Sequence, residues 1–187
     1  MRCFAAILLP DEIKEYADAC RKGLAGYKLP VKWVARENYH LTVKFLGDLD
    51  DAKLTDVKRV LARCARETGK FELHAEGLGC FPHWQKPRVL WLGMGGQTGL
   101  ALGLIDGVDR ALAKRGFKKE KHQLHLTLGR VRQGQEGASG ALLAERQGDI
   151  APSSRSASFL IDSLCLMESR LGPGGPTYCL VEKYTLQ

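Results

Sequence analysis

Tyr39-His40-Leu41-Thr42-Val43-Lys44-Phe45-Leu46-Gly47 has a near copy in Gln123-Leu124-His125-Leu126-Thr127-Leu128-Gly129-Arg130, so the sequence carries His-Leu-Thr-aliphatic twice. With five histidines and seven threonines in the chain, two chance His-x-Thr matches are expected in roughly one or two sequences per hundred of this composition. The repetition therefore calls for a chemical reason. Histidine takes both protonation states near neutrality, so a pair of histidines supplies a neutral base and a cationic acid together. A threonine two residues on offers its hydroxyl to an oxyanion. Brought together across a cleft, the two sets suit in-line displacement at phosphorus. One imidazole deprotonates water, the other protonates the leaving oxygen, and donors hold the non-bridging oxygens. A 2′,3′-cyclic phosphate is a fitting substrate, because ring strain and a proximate leaving hydroxyl reduce what the protein must supply. Two histidines could instead bind a metal, although threonine is a poor ligand and no H-E-x-x-H, C-x-x-C or carboxylate-rich cluster completes a shell. They could also be satisfied structural groups in a non-catalytic RNA-binding protein. No G-x-S-x-G elbow supports serine hydrolysis.

Both motifs lie in runs that read as strands. Alternation with a period of two puts His40, Thr42 and Lys44 on one face, with Leu41, Val43 and Phe45 on the other. In the second strand His125 and Thr127 oppose Leu124, Leu126 and Leu128. Around them, an apolar first strand from Arg2 to Leu9 ends at Pro10-Asp11-Glu12. That triplet opens a helix to about Gly26, because proline is tolerated and carboxylates are favoured in a first turn. Val31 to Val34 is extended, and Arg36-Glu37-Asn38 turns into the first motif. Asp50 or Asp51 caps a second helix whose stripe is Leu54, Val57, Val60, Leu61 and Cys64; Lys53, Lys58, Arg59, Arg63 and Arg66 face mostly outward as a solvated face. Phe71 to Glu76 alternates as a strand, with His74 expected exposed between Glu72 and Glu76 rather than in a metal site. Arg88 to Gly93 reads as a central strand, and Gln97 to Arg115 as a third helix. Lys118, Lys119, Lys121 and His122 lead into the second motif as a basic loop, solvated by default, with a phosphate approach as the alternative. Residues 132–158 are rich in Gly, Gln, Ser and Ala and read as a loop with a helical turn or two near Ala141 to Gln147. A hairpin closes the chain, Ser158 to Glu168 and Thr177 to Tyr184 about a Gly172-Pro173-Gly174-Gly175-Pro176 turn.

The order is strand, helix, strands, helix, strands, helix, strands. Two βαβ-like halves of one domain, 1–187, each contribute a His-x-Thr strand, at 40–43 and 125–128, as a diverged internal duplication would. No apolar run approaches the roughly 18 residues needed to span a bilayer, and the short N-terminal run does not match a secretory signal. A cytoplasmic protein is expected, with six reduced cysteines lacking any C-x-x-C spacing. The net charge of +7 favours a polyanionic partner, though only weakly, since many soluble proteins are merely basic.

The chain resembles the 2H phosphoesterase superfamily, and within it the RNA 2′,3′-cyclic phosphodiesterases of the ThpR/LigT type, first described as 2′-5′ RNA ligases. The resemblance rests on the opening strand Arg2 to Pro10, on Val31 to Gly47, on Pro87-Arg88-Val89-Leu90-Trp91-Leu92-Gly93, on His125 to Arg130, and on Leu166 to Ser169 with Tyr178. It implies an α+β, bilobal, pseudo-twofold fold with antiparallel sheets lining a central cleft and helices outside. It further implies metal-independent hydrolysis of RNA 2′,3′-cyclic phosphate ends to 2′-phosphomonoesters by a monomer that needs no cofactor, acting on RNA ends, tRNA halves or cyclic nucleotides. His40 and His125 carry over as the catalytic pair, Thr42 and Thr127 as phosphate-holding hydroxyls, and Arg130 as a phosphate contact. Strict alternation sets Arg130 on the face opposite His125, so it must reach the site from the strand end or through a bulge. Gly129 stands where relatives often have alanine, an exchange expected to be harmless. Phe4, Tyr39, Phe45, Trp84 and Tyr178 are candidates for stacking on a base.

Overall fold

The aliphatic sides of both motif strands are buried: Leu41, Val43, Leu126 and Leu128 have no accessible surface. In the computed structural model they face the helical layer, and the whole sheet is arranged around that layer. The structure describes residues 1–121, 123–150, 154–173 and 175–187. Strands β1 (Arg2–Leu8), β2 (Val31–Trp33), β3 (His40–Asp48), β4 (Phe71–Phe81), β5 (Val89–Gly96), β6 (His125–Val131), β7 (Phe159–Ile161), β8 (Ser163–Gly172) and β9 (Gly175–Thr185) alternate with four helices. These are α1 (Asp11–Ala25), α2 (Asp51–Arg66), α3 (Thr98–Ala113) and α4 (Glu136–Ile150).

The strands form one curled antiparallel sheet in the order β7-β4-β5-β6-β3-β1-β8-β9, with β2 beside β6. The expected pair of sheets is therefore continuous. The order reads symmetrically outward from the centre, where β6 meets β3 through the pair Leu41 and Leu126. An antiparallel register extended by one residue sets His40 across from Thr127 and Thr42 across from His125. Each lobe thus brings one motif strand to the midline.

Local chemistry accounts for the helix ends. The Asp50 carboxylate accepts from the Lys53 backbone N–H at 2.8 Å and caps α2, and Asp11 and Glu12 occupy the first turn of α1. Residues 36–38 form a single 3-10 turn. α4 spans most of what the composition suggested was a loop, anchored by the buried Ser139 and Leu143. Its apolar periodicity is weak, which is why it could not be seen in the sequence. The six cysteines are free thiols. Among the described residues no helix is long and apolar enough to cross a membrane.

Candidate active site

Two β-bulges reset the alternation of the motif strands. Opposite β1, Ala5 pairs with Lys44 and Ala6 with Thr42, so Val43 is the extra residue. Opposite β5, Leu90 pairs with Gly129 and Trp91 with Thr127, so Leu128 is the extra residue. A bulge moves every following side chain to the other face. Lys44, expected beside Thr42, is instead buried among the helices, and Phe45 turns into the cleft, 59% exposed. Arg130 crosses the other way and joins His125 and Thr127. In both motifs the first, third and sixth residues share the cleft: His40, Thr42 and Phe45 in one, His125, Thr127 and Arg130 in the other.

These six side chains line a cavity of about 330 Å³, together with Trp33, Asn38 and Tyr178. All five residues singled out from the sequence are therefore in one place. The Nδ1–H of His40 donates to the Asn38 carbonyl at 2.7 Å, and that of His125 donates to the Gln123 carbonyl at the same distance. A carbonyl can only accept, so the proton of each neutral ring sits on Nδ1 and Nε2 is left as the basic nitrogen. The Thr42 hydroxyl donates to Nε2 of His40 at 3.0 Å. The Asn38 side chain, in turn, donates to the Pro176 carbonyl at 2.9 Å, fastening the residue that aims His40 to the closing hairpin.

Each imidazole also lies between two aromatic rings. Phe4 and Tyr178 sit with centroids 4.9 and 5.3 Å from His40, and Phe81 and Trp91 sit 4.9 and 6.1 Å from His125. Burial lowers the pKa of both histidines from the ordinary 6.5. The Asn38 and Gln123 carbonyls oppose the shift, while His125 adds to it at His40 and Arg130 adds to it at His125. Both rings are therefore biased toward the neutral form until an anion arrives.

The structure corrects several expectations. Of the stacking candidates, Phe45 and Tyr178 line the cavity, whereas Phe4 is buried against His40 and Tyr39 lies in the core. Trp84 packs against the core instead of lining the cavity. His74 is buried, not exposed, with Nε2 3.2 Å from a Glu76 carboxylate oxygen over Gly95. Among the described residues no group of three or more potential ligands is placed to hold a metal ion. Gly129 is required by packing, because a Cβ there would stand 2.5 Å from Val31 and 2.8 Å from the Trp33 ring. Lys121 lines a second cavity, beside His125, and His122 lies outside the described residues. Phe81 and Trp91 were missed as site residues. The signal for Trp91 was its place on a strand beside the second motif; Phe81, in a Gly/Pro-punctuated stretch, gave none.

The family profile described as LigT like Phosphoesterase matches residues 7–91 and 97–178. A Methanothermobacter thermautotrophicus protein named RNA 2′,3′-cyclic phosphodiesterase is 30% identical over 187 residues, covering 100% of this chain and 99% of its own length. An Archaeoglobus fulgidus protein of the same name is 33% identical over 182 residues, covering 95% and 96%. The crystal structure of Escherichia coli LigT complexed with 3′-AMP superposes with a TM-score of 0.74 at 25% identity, covering 99% of this chain and 97% of the other.

Proposed function

This chain belongs to the family of LigT-like phosphoesterases, and we propose that it hydrolyses RNA 2′,3′-cyclic phosphate ends to 2′-phosphomonoesters, with His40 and His125 together forming the general acid–base pair. The observation that carries the reading is the matched pair of imidazoles in one cavity, each holding Nδ1–H on the carbonyl two residues before it and leaving Nε2 for the cleft. The relatives' name, RNA 2′,3′-cyclic phosphodiesterase, supports the substrate class.

In the reaction one neutral imidazole takes a proton from water as the water oxygen bonds to phosphorus. The bond to O3′ breaks, and the other imidazole, protonated, gives its proton to that oxygen. The two rings end with their protonation exchanged, and solvent resets them. Thr42, Thr127 and Arg130 supply donors to the non-bridging oxygens, where negative charge builds up in the transition state. The bound phosphodiester carries the negative charge that the resting site lacks, and it raises the depressed histidine pKa values so that one ring holds a proton. A parallel ligation, in which an RNA hydroxyl replaces water as the group that bonds to phosphorus while the bond to O3′ breaks, uses the same groups. Water at about 55 M outcompetes that hydroxyl unless the RNA is positioned, so hydrolysis is the net outcome.

The test is to incubate the protein, in EDTA, with a short RNA ending in a 2′,3′-cyclic phosphate and to locate the phosphate on the product. A 2′-phosphate is expected, with His40→Ala and His125→Ala each slower by at least about 10³-fold. RNA bound but never opened would support the non-catalytic RNA-binding reading instead.

A further inference from the structure

On the outer face of the sheet, the C-terminal halves of α2 and α3 enclose a groove of about 860 Å³. We propose that this groove holds the phosphate backbone of the RNA that extends from the 3′ end reacting in the cleft, so that the preferred substrate is a polynucleotide and not a mononucleotide. The proposal rests on the reading of the cleft as a cyclic phosphodiesterase site.

The floor of the groove is small and buried, made by Cys64 and Ala111. Its walls carry Arg63, Arg110, Lys114, Arg115 and Lys119 against the single carboxylate of Glu67. Five positive charges less Glu67 and the Asp56 that pairs Arg115 leave three, and two helix C-termini contribute about half a negative charge each, so about two remain. Arg115 is spoken for by Asp56, and Arg63 lies 3.8 Å from Glu67. Arg110, Lys114 and Lys119 have no carboxylate within ion-pair distance among the described residues. Arg110 and Lys114 stand one turn apart on one stripe of α3, roughly 5–6 Å between Cβ atoms, and so form a row of cations rather than a scatter. Offsetting the helix dipoles accounts for part of this charge, but Lys119 lies beyond the end of α3 and is not explained that way.

Neighbouring residues lead from the groove toward the active site. Lys119 lines it, and the next residues, Glu120 and Lys121, line a cavity of about 730 Å³ that reaches His125, Gln123 and Phe81. On α3 the adjacent Asp106 and Gly107 face these two spaces in the same way. The passage beside His125 carries Asp106 and Glu120 against Lys121, so it does not attract phosphate. It offers an aromatic ring and a side-chain amide to bases and sugars, and phosphate contact resumes at Lys119. Polyanion attraction of this kind is independent of sequence and sensitive to salt.

The experiment compares wild type with the exposed double variant Arg110→Glu/Lys114→Glu and with Lys119→Glu. It measures fluorescence anisotropy of an RNA of roughly a dozen nucleotides bearing the cyclic end, as a function of salt, alongside turnover of a 2′,3′-cyclic mononucleotide. We expect the double variant to bind the RNA about tenfold more weakly, with the log–log salt slope shallower by about 1.4 for two lost phosphate contacts on a single strand. Mononucleotide kcat/KM should stay at the wild-type value. Unchanged RNA affinity and slope would overturn the groove assignment, and so would an equal loss on the mononucleotide, because the substitutions would then be acting through the cleft. Failure of wild type to open either substrate would refute the reading of the cleft, while the anisotropy series would still decide the groove.

Discussion

The imidazoles of His40 and His125 are each fixed by the carbonyl two residues before them and braced by two rings, so small changes in the bracing residues reach the chemistry. Gly79 lies opposite Trp91, and a Cβ there would stand 2.1 Å from the indole ring. Gly79→Ala must displace the Trp91 ring from beside His125. It is expected to lower kcat by about 10-fold or more, since misplacement of about 1 Å can cost 10²-fold, while circular dichroism stays that of the folded protein. Gly129→Ala forces Val31 and Trp33 apart and should cost about 1–3 kcal/mol of stability as overpacking, measured by urea denaturation. The acid–base pair also makes a pH prediction. Both histidine pKa values lie below 6.5 in the free protein, so the singly protonated pair peaks on the acid side of 6.5. The optimum of kcat/KM should therefore fall below about 6.5, and that of kcat, which reports the complex containing the phosphate anion, at higher pH. Coincident optima would argue against an anion-driven shift.

Among the elements, the motif strands show how far sequence alone could be read. The period-two pattern was enough to identify both strands and to set His40 beside Thr42 and His125 beside Thr127. It failed past the third residue of each motif, because a bulge depends on the partner strand and leaves no mark in its own strand's composition. Phe45 was consequently placed on the wrong face by alternation and Lys44 was assigned to the cleft it does not enter, whereas Arg130 reaches the site through a bulge, one of the two routes expected for it. α4 was hidden for a different reason, the weak apolar periodicity of its sequence. The true role of Lys44 is to join the lobes. Its ammonium donates to Asp109 at 2.6 Å and to the Lys118 carbonyl at 2.7 Å, linking the first motif strand to α3 and to the loop ahead of the second motif. Lys44→Met deprives the buried Asp109 of that ammonium and is expected to destabilise the protein by about 3–5 kcal/mol. Thermal or urea unfolding of the variant checks this directly.

For the molecule as a whole, the two depressed histidines tie stability to pH. Their folded pKa values lie below the 6.5 of the unfolded chain, so the unfolded state binds more protons as pH falls through that value. The contribution of the neutral pair is fully present above about 6.5 and is lost on acidification until the folded pKa values are passed. Unfolding midpoints should drop from pH 7.5 to 5.5, and the His40→Ala/His125→Ala double variant should drop less; equal slopes would mean that other groups dominate. The same two residues would then set both the working range and the acid limit of the fold.

The strand order gives the molecule a further mechanical property. Within the sheet β3 and β6 pair only at Leu41 and Leu126, and the three residues of β2 extend the seam along β6, whereas on the helical side α3 packs on β3, α2 packs on α3, and Lys44 reaches across to Asp109. A body joined by packed helices on one side and by short strand pairings on the other opens like a book, with its spine on the helical side. Backbone amides around Leu41 and Leu126 would then exchange with deuterium through a motion smaller than unfolding, and a ligand bridging both lobes would slow that exchange more than exchange anywhere along the helices.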